Sequence, residues 1–335
     1  MSAISTQNTT LVARLLNDIA PDIIKKIVQT HETANIVKRY GNVKKTLTFL
    51  VRRKNKKILR GFKANGTAQG NEHSYDKVDL EVGKFMAILD LTATDERAEA
   101  FGAHLQDAGI ISTDLTNDVF LTQLFEYIIS ESRADMDDEM EDADWQAILV
   151  PSAADDAAMV HKFDGYRRQA AKLCAAGNGT IVNTAGLLPV KKVEAVFRGF
   201  DKQIRKRGGV IFCTYNFFDD YKLDWQTQNA GRELGTTQLE GTNYEGIPIY
   251  LGGKKTLLVP VSGLGDDSVL IATLPEYMAM GYAILGGIDV QKVAFTMTGY
   301  LAMKYGVMFL QQLAGYIVVS DDLIQTEITN PRVNA

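Results

Sequence analysis

The residues best suited to chemistry form an acidic run, residues 131–144, in which eight carboxylates accompany a single arginine. From Asp135 to Glu141 the acids alternate in the way that the oxygen ligands of a calcium loop do. An EF-hand loop needs glycine at its sixth position, where this chain has Met140, and no second helix pattern follows. We therefore interpret the run as the exposed face of a helix, which meets solvent or a basic partner.

The histidines and cysteines form no recognisable site. The four histidines are widely separated, and neither Cys174 nor Cys213 has a second cysteine or a histidine at metal-ligand spacing. Cys213 ends the apolar run Val-Ile-Phe-Cys, which favours a buried structural thiol over a nucleophile served by a distant histidine. We expect no catalytic, cofactor-binding or metal-binding residue.

The glycine-rich segments do not match nucleotide or hydrolase motifs. Gly177-Asn-Gly179 begins like a dinucleotide loop, but the third glycine is missing and no helix start follows. Ser262 lacks the glycine two positions earlier that a nucleophile elbow requires, and the chain has no P-loop. An α/β enzyme with an unrecognised site, centred on residues 164–285, remains an alternative.

Composition predicts a subdivided protein of the cytoplasm. The chain has 335 residues, 46% of them hydrophobic, which is enough for two or three domain-sized units. Its net charge of -5 gives nucleic acid no general attraction. Two cysteines and the lack of a signal-peptide pattern fit a reducing compartment. The charge-poor stretch 293–319 contains Lys304 and strand-like spacing, so we expect no membrane span.

A basic segment, residues 41–71, is the strongest charge feature, because it contains nine cations and no acid. Alternation over Thr46–Val51 predicts a strand, and residues 54–57 could form its turn. The segment therefore resembles a projecting β-hairpin with too few apolar residues to fold alone. Its cations are Lys44, Lys45, Arg52, Arg53, Lys54, Lys56, Lys57, Arg60 and Lys63.

We predict that this basic hairpin binds to an acidic surface of another copy of the chain, and the acidic run supplies such a surface. A solvated loop and a nucleic-acid-binding arm are the alternatives, although only two phenylalanines accompany the cations. The acidic contact residues would be Glu131, Asp135, Asp137, Asp138, Glu139, Glu141 and Asp142.

The remaining patterns give an order of elements. Two short helices, broken at Pro21, precede the hairpin, and a helix over 94–108 and a long helix from Asp114 or Thr116 follow it. Beyond Asp164 the pattern is mixed α/β. It comprises one helix from Val190 to Arg207, a buried strand over 209–214, a helix over 217–230, strands over 247–251, 256–261 and 268–273, and a half-buried strand through residues 293–297.

Several stretches resemble the major capsid proteins of tailed phages, which have the Hong Kong 97 fold. They are Asp164-Gly-Tyr166, the helix–strand–helix run 190–220, and Tyr244-Glu-Gly-Ile-Pro-Ile-Tyr250. The resemblance covers nearly the whole chain and implies an α+β fold with five parts. These are an N-terminal arm (1–40), an extended β-hairpin or E-loop (41–80), a peripheral domain with a long spine helix (81–162), an α/β axial domain (163–285) and C-terminal strands of the peripheral domain (286–335).

The resemblance also implies a function. The chain would assemble as hexamers and pentamers into the icosahedral head shell that encloses double-stranded DNA, in the virion, after assembly in the host cytoplasm. Portal, scaffold and decoration proteins are the implied partners, with no membrane and no cofactor. Some relatives crosslink through an E-loop lysine, but no partner for Lys54, Lys56 or Lys57 can be placed, so we predict no crosslink. An encapsulin-like nanocompartment shell is the alternative within this fold.

Overall fold

A computed structural model describes residues 32–54, 73–90, 127, 135–150, 158–229, 234–239, 245–251, 254–265, 267–285, 289–293, 296–310, 312 and 314–329. The helices predicted before residue 31 and over 94–108, and the start of the long helix, lie outside these residues. No helix among the described residues has the length and apolarity to cross a membrane.

A seven-stranded mixed sheet forms the larger layer, and its central strand is β6 (Val210–Cys213). All four β6 side chains are buried, because β6 has neighbours on both sides and packed faces above and below. The buried strand predicted over 209–214 is confirmed. The sheet runs in the order β5 (Thr180–Val182), β14 (Val318–Ser320), β10 (Ile271–Thr273), β6, β9 (Lys254–Pro260), β8 (Glu245–Leu251), β7 (Thr237–Gln238).

Three helices between β5 and β7 bury their apolar sides near this sheet. They are α4 (Pro189–Gly199), α5 (Lys202–Arg207) and α6 (Tyr215–Gln228). The single helix predicted from Val190 to Arg207 is wrong, since the chain breaks at Phe200. Asp201 caps the second helix by accepting a hydrogen bond from the Gln203 backbone N–H at 2.7 Å, which favours a new start over continuation.

A five-stranded sheet forms the second layer around the long strand β13 (Thr296–Phe309). One edge of β13 pairs with β12 (Asp289–Val293) and then β11 (Met278–Ile284), and the other edge pairs with β4 (Gly83–Asp90). β1 (Lys38–Gly41) adds to β11 in parallel. The single strand predicted through residues 293–297 is wrong, because Val293 pairs with Thr296 across a hairpin.

The two sheets exchange segments along the chain. β11 precedes residue 285 yet pairs with β13, and β14 follows it yet lies in the seven-stranded sheet. This pairing differs from the boundary expected at residue 285, because an apolar strand pattern does not specify which sheet receives the strand. After β14 the chain continues as α7 (Asp321–Ile324) and a π-helical turn, Gln325–Thr329.

Two further elements define the surfaces of interest. β2 (Thr46–Lys54) and β3 (His73–Glu81) form a separate two-stranded antiparallel sheet, which confirms the predicted hairpin strand. A turn over 54–57 is wrong, because Lys54 pairs with His73 and residues 55–72 connect the strands. Residues 135–146 form α2, followed by α3 (Tyr166–Ala175). Preceding the hairpin and β1 is α1 (Glu32–Ile36).

Candidate inter-subunit surfaces

The β2–β3 hairpin has two different faces, because side chains directly opposite each other in an antiparallel pair lie on the same side. One face packs against the body of the protein. Leu47, Phe49, Val51, Val78 and Leu80 form a small cluster there with Met308 and Leu310. The opposite face carries Leu50 and Tyr75, which are 67% and 63% exposed. The hairpin therefore has an inner face anchored on the body and an outer face that carries exposed apolar side chains.

The nine cations of the hairpin segment are unevenly placed. Lys44 and Lys45 are exposed at its base, where the Lys304 ammonium donates to the Lys44 carbonyl. Arg52, Arg53 and Lys54 occupy the last three positions of β2, opposite residues 73–75. Lys56, Lys57, Arg60 and Lys63 lie outside the described residues.

The return strand β3 changes this charge pattern. It carries Asp76, Asp79 and Glu81 against Lys77, and Thr48 donates a 2.5 Å hydrogen bond to Asp79. The base of the hairpin is therefore of mixed charge. The remaining cations of the segment run from Arg52 to Lys63 in the sequence.

One face of α2 carries the exposed acids. Asp135, Asp138, Glu139 and Asp142 have the spacing i, i+3, i+4, i+7, and all four are exposed. Within the described part of the chain, Asp135, Asp138 and Glu139 have no ion-pair partner. Partial burial and the neighbouring Asp138 charge raise the pKa of Asp142. A cation placed beside Asp142 by another chain would favour its ionised form.

Three members of the predicted acidic contact set have other positions. Glu131 lies outside the described residues, and Asp137 is half-buried. Glu141 is only 5% exposed, and its carboxylate accepts hydrogen bonds from the Thr33 N–H at 2.9 Å and the Thr33 hydroxyl at 2.7 Å. Assigning Glu141 to an inter-subunit surface is therefore wrong, because Glu141 binds the chain's own α1 in the interior.

A second acid of the run, Asp144, is fully buried between the two sheets. It accepts a 2.6 Å hydrogen bond from the Tyr305 hydroxyl, and burial together with the Asp144 charge raises the pKa of Tyr305 well above its usual range. Helical spacing carried a signal for this burial, since Asp144 shares the stripe of Met140, Ala143 and Ala147, which are buried.

The first described residue, Glu32, is bound to the body of the protein. The Glu32 carboxylate accepts hydrogen bonds from the Ser262 N–H at 2.9 Å, the Ser262 hydroxyl at 2.7 Å and the Tyr215 hydroxyl at 3.0 Å. Next to Ser262, a Cβ on Gly263 would lie 2.2 Å from the Glu141 carbonyl oxygen, so only glycine lets α2 approach this closely. These contacts attach the segment after residue 31 firmly to the body.

The C-terminal turn is fixed by a buried ion-pair cluster. Arg167 of α3 is fully buried and pairs with Glu327 and Asp267, each at 3.0 Å. It also donates a hydrogen bond to the Leu264 carbonyl at 2.5 Å. Glu327 is 1% exposed, so its charge is paired with Arg167 inside the subunit. The sequence patterns did not identify this cluster.

The two cysteines, both among the described residues, are poorly suited to catalysis. Cys213 is fully buried, and burial raises the pKa of its thiol well above the usual range; burial likewise raises the pKa of Cys174 to about 12. Thiols held protonated in this way are poor nucleophiles. No cluster of metal-ligating side chains occurs among the described residues.

Comparison with known proteins identifies structures of similar architecture. No protein-family model and no curated protein matches the chain. A chain of the satellite phage P4 procapsid, in a structure that includes the size determination (Sid) protein, aligns with a TM-score of 0.56 at 10% identity over 89% of this chain and 90% of that one. A structure of Microbacterium phage Oxtober96 aligns at 0.48, with 12% identity over 87% and 90% of the two chains. The SrpI encapsulin complex of Synechococcus elongatus PCC 7942 aligns at 0.43, with 9% identity over 85% and 84%. The P4 alignment confirms the expected α+β architecture, and the chain has the fold of a phage procapsid chain.

Proposed function

We propose that this chain is a non-catalytic shell subunit, the major capsid protein of a tailed phage, which assembles as hexamers and pentamers into the head shell around double-stranded DNA. The observation that carries the proposal is the fold shared with a P4 procapsid chain over about nine-tenths of both chains. One fold can serve several functions, so the surfaces must also suit assembly. A hairpin with an exposed apolar pair on its outer face and a helix with a stripe of exposed acids provide two different surfaces on one chain.

Two different complementary surfaces on one subunit favour a head-to-tail contact that closes into rings. We assign the seven-stranded sheet and its helices to the region around the five- and six-fold positions, and the five-stranded sheet to the peripheral region. The β2–β3 hairpin would be the E-loop, which lies on an adjacent subunit. Residues 1–40 would be the N-terminal arm, whose described part is bound to the subunit's own body through Glu32.

The proposal includes partners and a location. Portal, scaffold and decoration proteins would contact the shell, which is assembled in the host cytoplasm and is part of the virion. The net charge of -5 suits an inner wall that does not hold packaged DNA tightly. DNA would be enclosed without sequence-specific contacts and without a cofactor.

The test of this function is the content of particles formed by the full chain in its producing cells. Particles would be purified, imaged in the electron microscope and treated with nuclease before their DNA is measured. Closed shells with protected DNA support a capsid, whereas closed shells filled with a co-purifying protein indicate an encapsulin-like compartment. A chain that stays monomeric under all assembly conditions contradicts both.

The docking of the basic hairpin on an acidic neighbour has its own test. Replacing Arg52, Arg53, Lys54, Lys56 and Lys57 with serine should block assembly and leave the subunit folded, because hairpin cations near α2 acids hold neighbours together. The control replaces four exposed cations outside the hairpin and outside the helices α4 and α5 with serine, namely Lys38, Arg39, Lys84 and Lys172. Normal shells from the hairpin variant would refute this docking.

A further inference from the structure

The outer face of the hairpin presents an apolar pair that the charge pattern alone does not explain. Leu50 stands opposite Lys77 in the strand register, and Tyr75 precedes Lys77 by two residues on the same face. Leu50 and Tyr75 are therefore diagonal neighbours across the two strands, within reach of each other for large side chains. Together they form one apolar surface beside the cationic end of β2.

This surface is unusually open for its size. Leu50 is 67% exposed and Tyr75 63% exposed, while the inner-face residue Leu80 is fully buried. A two-stranded hairpin is marginally stable in water unless it packs against something, and here only the inner face packs on the described body. Exposed adjacent apolar side chains on a projecting element indicate a contact site.

Charge identifies the occupant as a second copy of the chain. The apolar pair is flanked by the cations that begin at Arg52, and the matching surface on the chain is the exposed acidic face of α2. The cations beside the apolar pair and the exposed acids of α2 have opposite charges, which favours contact between the two surfaces.

We propose that Leu50 and Tyr75 are the apolar anchor through which the hairpin of one copy binds the α2 surface of a second copy. The proposal rests on the proposed shell function and deepens it by naming the residues that hold the contact. The hairpin cations would steer and align the two copies, and the apolar pair would slow their dissociation.

The test replaces both anchors with threonine, Leu50→Thr and Tyr75→Thr, because threonine keeps the strand preference while removing most of the apolar surface. The critical concentration for shell assembly should rise by roughly tenfold or more, as for the loss of interface anchors in general. The matched control is Met86→Thr on strand β4, where the methionine is 55% exposed. This control should assemble like the unmodified chain.

A second measurement uses the unmodified chain, so it does not depend on whether the variant folds. Hydrogen exchange of the unmodified chain should show residues 48–52 and 73–77 protected in shells and open in free subunits. Unchanged exchange at these residues, normal assembly of the threonine variant, or an equal loss in the Met86 control would each overturn the anchor. If the unmodified chain forms no shell at all, the proposed function fails instead, so the two failures are distinguishable.

Discussion

Both faces of α2 carry acidic side chains, but the acids of the two faces have different roles. On the buried face, Glu141 and Asp144 are held by hydrogen bonds from Thr33 and Tyr305. On the exposed face, Asp135, Asp138, Glu139 and Asp142 lie in one stripe with no cation from the described residues beside them. The buried acids fix the subunit's own chain, and the exposed acids are available to another chain. A carboxylate thus acquires its role from its side of the helix.

The largest expected effect concerns Arg167, a buried cation outside α2 that is paired inside the subunit, as Glu141 and Asp144 are bound there. Arg167→Met should destabilise the subunit by about 3–5 kcal/mol, because it leaves the buried Glu327 carboxylate without its cation. The exposed pair Lys191–Glu194 provides the control, and Lys191→Met should cost about 0.5 kcal/mol or less. Urea unfolding measures both values. Equal losses in the two variants would contradict the distinction between inner and outer charges.

A smaller effect separates the two faces of α2 directly. Glu141→Gln should lower the free energy of unfolding by about 2 kcal/mol, because a neutral amide replaces the carboxylate that accepts both hydrogen bonds from Thr33. Glu139→Gln, two residues away on the exposed face, should change it by less than about 0.5 kcal/mol. Thermal and urea unfolding of the two variants, side by side, provide the measurement. A Glu141 variant as stable as the Glu139 variant would show that the Thr33 contact contributes little.

The smallest expected effect concerns Asp142, whose replacement should stabilise the free subunit and weaken shell assembly. The pKa of Asp142 is raised in the folded subunit, which means that its ionised form is disfavoured there. The free energy of unfolding therefore falls as the pH rises from the usual aspartate pKa through the raised one. Asp142→Asn should therefore stabilise the free subunit at pH 7 by about 0.2 kcal/mol, since an exposed like-charge pair is strongly screened. The gain should vanish below the usual aspartate pKa of 3.8, where both side chains are neutral.

The same Asp142→Asn variant should assemble less readily at pH 7, because it removes one carboxylate from the proposed contact surface. Paired measurements of unfolding and of critical concentration test the two signs together. A less stable free subunit with an unchanged critical concentration would contradict this expectation.

The sequence predicted individual elements better than their breaks and partners. The apolar run 210–213 sufficed to identify the central strand, because a strand buried on both faces is uniformly apolar. The break at Phe200 was missed, since the apolar spacing of Val190, Val196 and Ile204 continues across two helices and all three are buried in one cluster. Periodicity reports which residues are buried and does not report a change of helix axis.

The site was predictable only in part, for a related reason. The exposed acids of α2 follow from charge and helical spacing, whereas the burial of Glu141 depends on Thr33, which is 108 residues away in the chain. The acids of β3 were separated from the cations of β2 by residues 55–72, so the mixed charge of the hairpin base became visible only with the strand register. Long-range pairing of this kind leaves no mark on local composition.

A charge exchange between the hairpin and α2 tests the central claim most directly. One variant changes Arg52, Arg53 and Lys54 to glutamate, and another changes the exposed acids Asp135, Asp138, Glu139 and Asp142 to lysine. Each alone should fail to form shells, because like charges then face each other across the contact, and a chain with both sets should form them again. Electron microscopy and sedimentation of the three chains report the outcome. If the doubly exchanged chain assembles no better than either single variant, the proposed contact between hairpin and helix is contradicted.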